Sequence, residues 1–258
     1  MRLTIDVSLA YAFGQRADVL LQIEAASMVD QRLVEHSLTV ASPEPLGATA
    51  GEEAIGQRTW AVGEGRFEAR YHATVDVIRP ALDLAGLPQM PPRTLPGLVV
   101  PYLMPSRYVP SEAFEAFLQR RFGSLTGGDR VLAMRDWIGD HVAYVPGSSD
   151  GSTTAADTFV RREGVCRDFA HLLAAFARAS GIPARLVSAY APGVDPPDFH
   201  AVVDVWLGDA WHLVDATGMA RGDEIARVVV GRDATDIAFM TIFGSATLLE
   251  QRVTVAFA

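Results

Sequence analysis

The chain has 258 residues, 49% hydrophobic and 21% charged, enough apolar content for one large or two modest cored domains of ordinary globular balance. A formal net charge of −9 argues against nucleic acid as a partner, and a single cysteine excludes any internal disulfide and fits a reducing compartment. No run approaches the roughly 18 apolar residues of a spanning helix, and Asp6 and Ser8 break the roughly 7–15 residue stretch a signal peptide needs, so a cytoplasmic protein without a membrane partner is expected.

Residues 1–80 read as strands. Leu3–Val7 and Leu33–Val40 alternate with period two, and 58–62 and 66–78 flank Gly63-Glu64-Gly65, which predicts a hairpin. A sandwich-like β domain is expected over 1–80. Eight of the fifteen prolines fall between Pro80 and Pro110, so 81–110 is expected to be a linker or irregularly packed, a reading favoured over a proline-rich ligand for a partner. Residues 111–258 then form a second domain. Ser111 is expected to cap a helix through Phe114, Phe117 and Leu118. Asp129 is expected to cap one through Val131, Met134 and Ile138, and Thr154 a short one through Phe159. After residue 184 strands return, at 185–190, 200–207, 211–215, 226–231 and 246–257. Helices followed by strands predict an α+β fold.

The informative segment is Gly164-Val165-Cys166-Arg167-Asp168-Phe169-Ala170-His171. Phe169, Leu172, Leu173, Phe176 and Ala177 lie on one helical face, and Gly181 and Pro183 end the helix, which places Cys166 at its N-terminus. Free N–H groups and the positive end of the helix dipole favour a thiolate there and can hold an oxyanion. A lone cysteine is more often a small buried hydrophobe, so position alone leaves the nucleophile at even odds.

The segments 198–207 and 210–217 decide it. If Gly208-Asp209 is a two-residue turn, Leu207 pairs with Ala210, Asp204 with Leu213 and Val202 with Asp215. His200 and Asp215 then share a face as diagonal neighbours roughly 7 Å apart at Cβ, within reach of an imidazole–carboxylate bond. The carboxylate fixes the tautomer and the other ring nitrogen faces the thiol. His36, His72, His141, His171 and His212 fit worse and are read as surface or core residues. A zinc site from Cys166, His171, His200 and His212 lacks close paired-ligand spacing. Gly147–Ser152 lacks the Gly-Lys ending of a phosphate loop and is read as a flexible loop. No metal and no cofactor are expected.

These motifs, with Gly181-Ile182-Pro183-Ala184-Arg185, Asp198-Phe199-His200-Ala201 and Trp211-His212-Leu213-Val214-Asp215-Ala216-Thr217, resemble the transglutaminase-like core over about residues 105–220. Residues 1–80 resemble the β domain that precedes it in bacterial members. The resemblance implies a papain-like α+β core, with a Cys166 helix packed on an antiparallel sheet bearing His200 and Asp215. It also implies acyl transfer through a thioester, with Cys166, His200 and Asp215 catalytic in residues 111–258. Where many members read His-Ala-Trp this chain has Val202, expected beside the triad, while Tyr144, Trp206 and Trp211 are candidates to line the cleft. Three activities remain open: hydrolysis of a peptide or protein amide, favoured first; glutamine cross-linking; and a catalytically silent binding module. Oligomeric state is left open.

Overall fold

Burial alternates from Leu3 through Ile5, Val7 and Leu9 to Phe13, and this period-two pattern carries a single strand much further than the five residues first legible. The computed structural model describes residues 1–258. It opens with strands β1 (Arg2–Leu21), β2 (Gln31–Val40), β3 (Gly47–Ala50) and β4 (Gln57–Val77). Helices α1 (Glu115–Phe122) and α2 (Gly127–His141), strand β5 (Ala143–Tyr144), helix α3 (Ala155–Arg161) and strand β6 (Glu163–Gly164) lead to helix α4 (Cys166–Ala179). Strands β7 (Ala184–Tyr190), β8 (His200–Leu207), β9 (Ala210–Val214) and β10 (Ala226–Gly231), helix α5 (Ala234–Ile237) and strands β11 (Met240–Phe243) and β12 (Thr247–Phe257) complete it.

Gly63-Glu64-Gly65 is not a hairpin turn. β4 runs straight through it, paired antiparallel with β1 from end to end. The register slips between Phe13 and Ala17, where β1 bulges. Gly63 is required because a Cβ there would lie 2.5 Å from the Phe13 ring, and Gly65 has φ +56°. The two glycines thus serve a bulge with the composition of a turn.

Residues 1–80 do not close on themselves. β11 and β12 pair antiparallel with β1 and complete one six-stranded sheet, so residues 240–257 belong with the N-terminal sheet and not with the 111–258 unit. One apolar core runs through both halves, from Leu3 and Tyr71 to Met134 and Phe176. The proline-rich 81–110 stretch is irregular, as missing N–H donors dictate, but it is seated: Leu84, Val99, Tyr102 and Val109 are buried, and Pro88 accepts from the Gly208 N–H at 3.1 Å.

The second sheet has the order β10-β7-β8-β9, all antiparallel. α4 packs on β7 and β8 and is covered by α1, α2 and α3, so it is buried on nearly every side from Asp168 to Arg178. This is the expected α+β core. Helix starts differ from expectation in detail. Thr154 caps α3 in a reciprocal box with Asp157 as expected. Thr126, not Asp129, precedes α2, and Ser111 sits inside a 3-10 turn before α1. No helix is long and apolar enough to cross a membrane.

Candidate active site

The start of α4 is braced by its own third residue. Val165 N–H donates to Asp168 Oδ2 at 2.8 Å, and Ser149 Oγ donates to the same oxygen. Arg167 donates from Nη2 to Ser149 Oγ (3.0 Å), to the Asp150 carbonyl (2.9 Å) and to Asp168 Oδ1 (3.3 Å). The 147–152 loop, expected to be flexible, is therefore tied to the first turn of the helix. Gly164 is needed for space: a Cβ there would lie 2.7 Å from Asp168 Cβ. Cys166 emerges half-buried at the helix N-terminus, and its thiol donates to the Phe199 carbonyl at 3.8 Å.

The β8–β9 register is the expected one as far as Val203–Val214, where the ladder ends, so the expected Val202–Asp215 pair does not form. Leu207 pairs with Ala210 and Asp204 with Leu213 across Gly208-Asp209, whose φ angles of +55° and +66° match a primed two-residue turn. His200 Nε2 meets Asp215 Oδ2 at 2.9 Å, both side chains essentially sealed from solvent. Asp215 is saturated: Oδ1 accepts from Thr217 N–H (2.8 Å) and Oγ1 (2.7 Å), and Oδ2 also accepts from Ala220 N–H (3.0 Å). Burial pushes its pKa up, but bonds from His200 and Thr217 outweigh that and hold it below the usual carboxylate range. Burial likewise disfavours the imidazolium, yet Asp215 and then Cys166 overcome it and raise His200 to about 10. With Nε2 engaged, the nitrogen facing Cys166 is Nδ1, which is buried with no partner at hydrogen-bond distance. Cys166, His200 and Asp215 are thus brought together in the order thiol, imidazole, carboxylate.

Of the expected cleft residues, Tyr144 lies against Cys166. Its phenol is pushed up to about 12 by burial first and then by the charge of Cys166. Val202 is fully buried in a small apolar cluster with Val187 and Val230 and does not line the cleft. Trp206 and Trp211 pack edge to face on each other, Trp211 also against Tyr102, away from Cys166. Of the other histidines, His171 is fully buried, accepts from Ala234 N–H at 3.1 Å and is pushed down to about 3 by burial, while His212 donates to the Leu207 carbonyl; none of the five lines the cleft. No group of His, Cys, Asp and Glu is arranged to hold a metal ion.

The cleft beside Cys166 has a volume of about 350 Å³. Tyr108, Gly151 and Arg167 line it together with Asp198, Phe199 and His200, and the C-terminal segments add Ile237, Phe239 and Gln251. Sequence reasoning missed Asp198, Phe239, Gln251 and Thr217 as contributors. Asp198 and Thr217 stand at the ends of motifs already singled out, where no role was read for them. Gln251 carried no local signal, because it reaches the site only through the pairing of β12 with β1.

Residues 117–216 match the model of the transglutaminase-like superfamily. Over the whole chain the fold is similar to the crystal structure of a candidate cysteine protease from Cytophaga hutchinsonii, 32% identical, covering 100% of this chain and 90% of that one with a TM-score of 0.91. An uncharacterized protein of Mycobacterium leprae is 30% identical over 145 residues, 53% of this chain and 52% of that one. An uncharacterized protein of Mycobacterium tuberculosis is 38% identical over 85 residues, 33% and 26% of the two chains. The chain therefore spans about half the length, or less, of the curated relatives it matches.

Proposed function

This chain belongs to the transglutaminase-like superfamily, and from that premise we propose that it is a cysteine hydrolase acting on a peptide-like amide, with Cys166 as nucleophile, His200 as general acid and base, and Asp215 as orienter. The observation that carries the reading is the division of the His200 ring: Nε2 is held by Asp215 at 2.9 Å, and the buried Nδ1 is left to Cys166. In that arrangement the thiolate attacks the amide carbonyl and His200 Nδ1–H protonates the departing amine, leaving a thioester. Nδ1 then removes a proton from water, which attacks the thioester, and the thiolate is restored as the acid leaves. The Cys166 N–H and the Tyr144 hydroxyl, both beside the sulfur, are the candidate donors to the tetrahedral oxyanion.

The test combines active-site labelling with turnover. Iodoacetamide should modify wild type at Cys166, and at neutral pH His200→Ala should react at least about tenfold more slowly. Release of amine from a panel of peptide amides should be lost in Cys166→Ala. Ammonia release from glutamine peptides with and without an added primary amine reads how the thioester divides between water and amine. A thiol that reacts equally fast in wild type and His200→Ala would overturn the proposal.

A further inference from the structure

Two charged side chains other than the Cys–His pair line the cleft, and they are not equivalent. Arg167 is committed within the protein, to Asp168, the Ser149 hydroxyl and the Asp150 carbonyl. Asp198 forms no ion pair. Its Oδ1 accepts from Phe199 N–H and from Gln251 Nε2, both at 2.7 Å, which fixes the carboxylate on the cleft wall. Its Oδ2 takes no bond from the protein and is not buried. The Asp198 charge is felt at two phenols, Tyr11 and Tyr144, second to burial at Tyr11 and after burial and Cys166 at Tyr144. The charge thus reaches as far into the site as Tyr144, which lies against Cys166.

A thiolate–imidazolium pair is neutral as a unit, and Arg167 is balanced by Asp168. Of the side chains that line the cleft, Asp198 is left as the uncompensated charge, negative, in a half-buried setting where Coulomb forces are stronger than in water; Asp215, sealed behind His200, adds a second negative charge out of a ligand's reach. The remaining walls are mostly apolar, Phe199, Ile237 and Phe239 among them, and include no second carboxylate to compete for a cation. We propose that Asp198, held by Gln251, is the specificity-determining residue of this site and that its substrates carry an ammonium or guanidinium group next to the reacting acyl carbon. This rests on Cys166 being the nucleophile. The cation can be a basic side chain, a free N-terminus or the amine that takes the acyl group.

Three small alkylating agents test it without knowledge of the natural substrate: 2-bromoethylammonium, iodoacetamide and iodoacetate, each rate divided by its rate with free cysteine at the same pH. Wild-type Cys166 should favour the cation over iodoacetamide and iodoacetamide over the anion. Asp198→Asn, which keeps an oxygen for the Phe199 and Gln251 bonds, should lower the cation-to-neutral ratio by about tenfold, and Asp198→Glu should retain most of it. Peptide amides with lysine against norleucine, and with free against acetylated N-termini, then separate the sources of the cation, as does the KM of primary amines used as acceptors. If Cys166 takes none of the reagents, the nucleophile reading fails and the proposal with it. If it is alkylated readily but wild type shows no preference for the cation, or Asp198→Asn leaves the preference unchanged, this proposal alone is overturned. The wild-type ratio decides the matter even should the Asn variant misfold.

Discussion

Asp215, one residue past the end of β9, meets His200, the first residue of β8, at 2.9 Å, and the carboxylate is held from behind by Thr217 and Ala220. The imidazole therefore has one orientation open to it. Asp215→Asn can offer His200 Nε2 an N–H where a carboxylate stood, which favours the opposite tautomer. Turnover is expected to fall on the order of 10²–10⁴-fold with little change in KM. Steady-state kinetics on the best peptide amide checks this, and a loss confined to KM would contradict the orienting role.

The same pair makes a pH-dependent contribution to stability. His200 binds its proton more tightly folded (about 10) than at its ordinary value of 6.5, so its contribution is complete below about pH 6.5 and is lost as pH rises from there through 10. Asp215 is shifted the other way, so its contribution is present above its ordinary value of 3.8 and is lost as pH falls through its lower folded value. The stability difference between wild type and His200→Gln should be largest between these limits and shrink steadily from pH 6.5 to 10. Urea titrations at half-unit intervals would show it, and a constant difference across that range would refute it. The alkaline fall in kcat/KM should likewise lie near pH 10 and not near 6.5.

The grouping of Cys166, His200 and Asp215 was legible because each of its parts is set locally. The helix face from Phe169 to Ala177 places Cys166, and the Gly208-Asp209 turn sets the register of β8 against β9. What escaped the sequence depends on distant pairing. Nothing within Thr247–Phe257 says that its edge partner is β1, yet that pairing brings Gln251 to Asp198 and makes the first and last residues one sheet. Gly63 and Gly65 misled for a related reason, since a bulge and a turn use the same residues. Only the Phe13 ring on the facing strand distinguishes them.

Gly164 provides a test of how tightly Cys166 is positioned. A methyl group there would lie 2.7 Å from Asp168 Cβ and 3.1 Å from Oδ2, so the carboxylate must leave Val165 N–H and Ser149. Gly164→Ala should cost about 1–3 kcal/mol of stability by overpacking. It should also slow alkylation of Cys166, because the first turn of α4 and the 147–152 loop lose their common brace. Denaturant unfolding together with the iodoacetamide rate measures both. A variant within about 0.5 kcal/mol of wild type with an unchanged rate would show that the brace is dispensable.

Asp204 ties the two sheets together from within. It is fully buried, accepting from Arg185 Nε (3.1 Å) and Nη2 (2.9 Å) at one oxygen and from Arg227 Nη2 (3.2 Å) at the other. Arg185 continues to Glu53 at 2.8 Å, and Arg227 to Asp30 at 2.8 Å, both in the N-terminal half. Burial alone would push the Asp204 pKa up, but Arg227 and Arg185 outweigh it and hold it below the usual range, so the acid remains ionised where no water reaches. Asp204→Asn removes the one carboxylate that both buried guanidinium groups share, leaving the network a positive charge in excess, and should destabilise the protein by about 3–5 kcal/mol. Asp30→Asn, at a carboxylate partly open to solvent, should cost clearly less. Because one apolar core spans both halves, they should still unfold in one transition in each variant, followed by tryptophan fluorescence and circular dichroism together. Two separated transitions in Asp204→Asn would mean that the shared apolar core alone does not couple the halves, and a loss under about 1 kcal/mol would mean that the network carries little of the fold's stability.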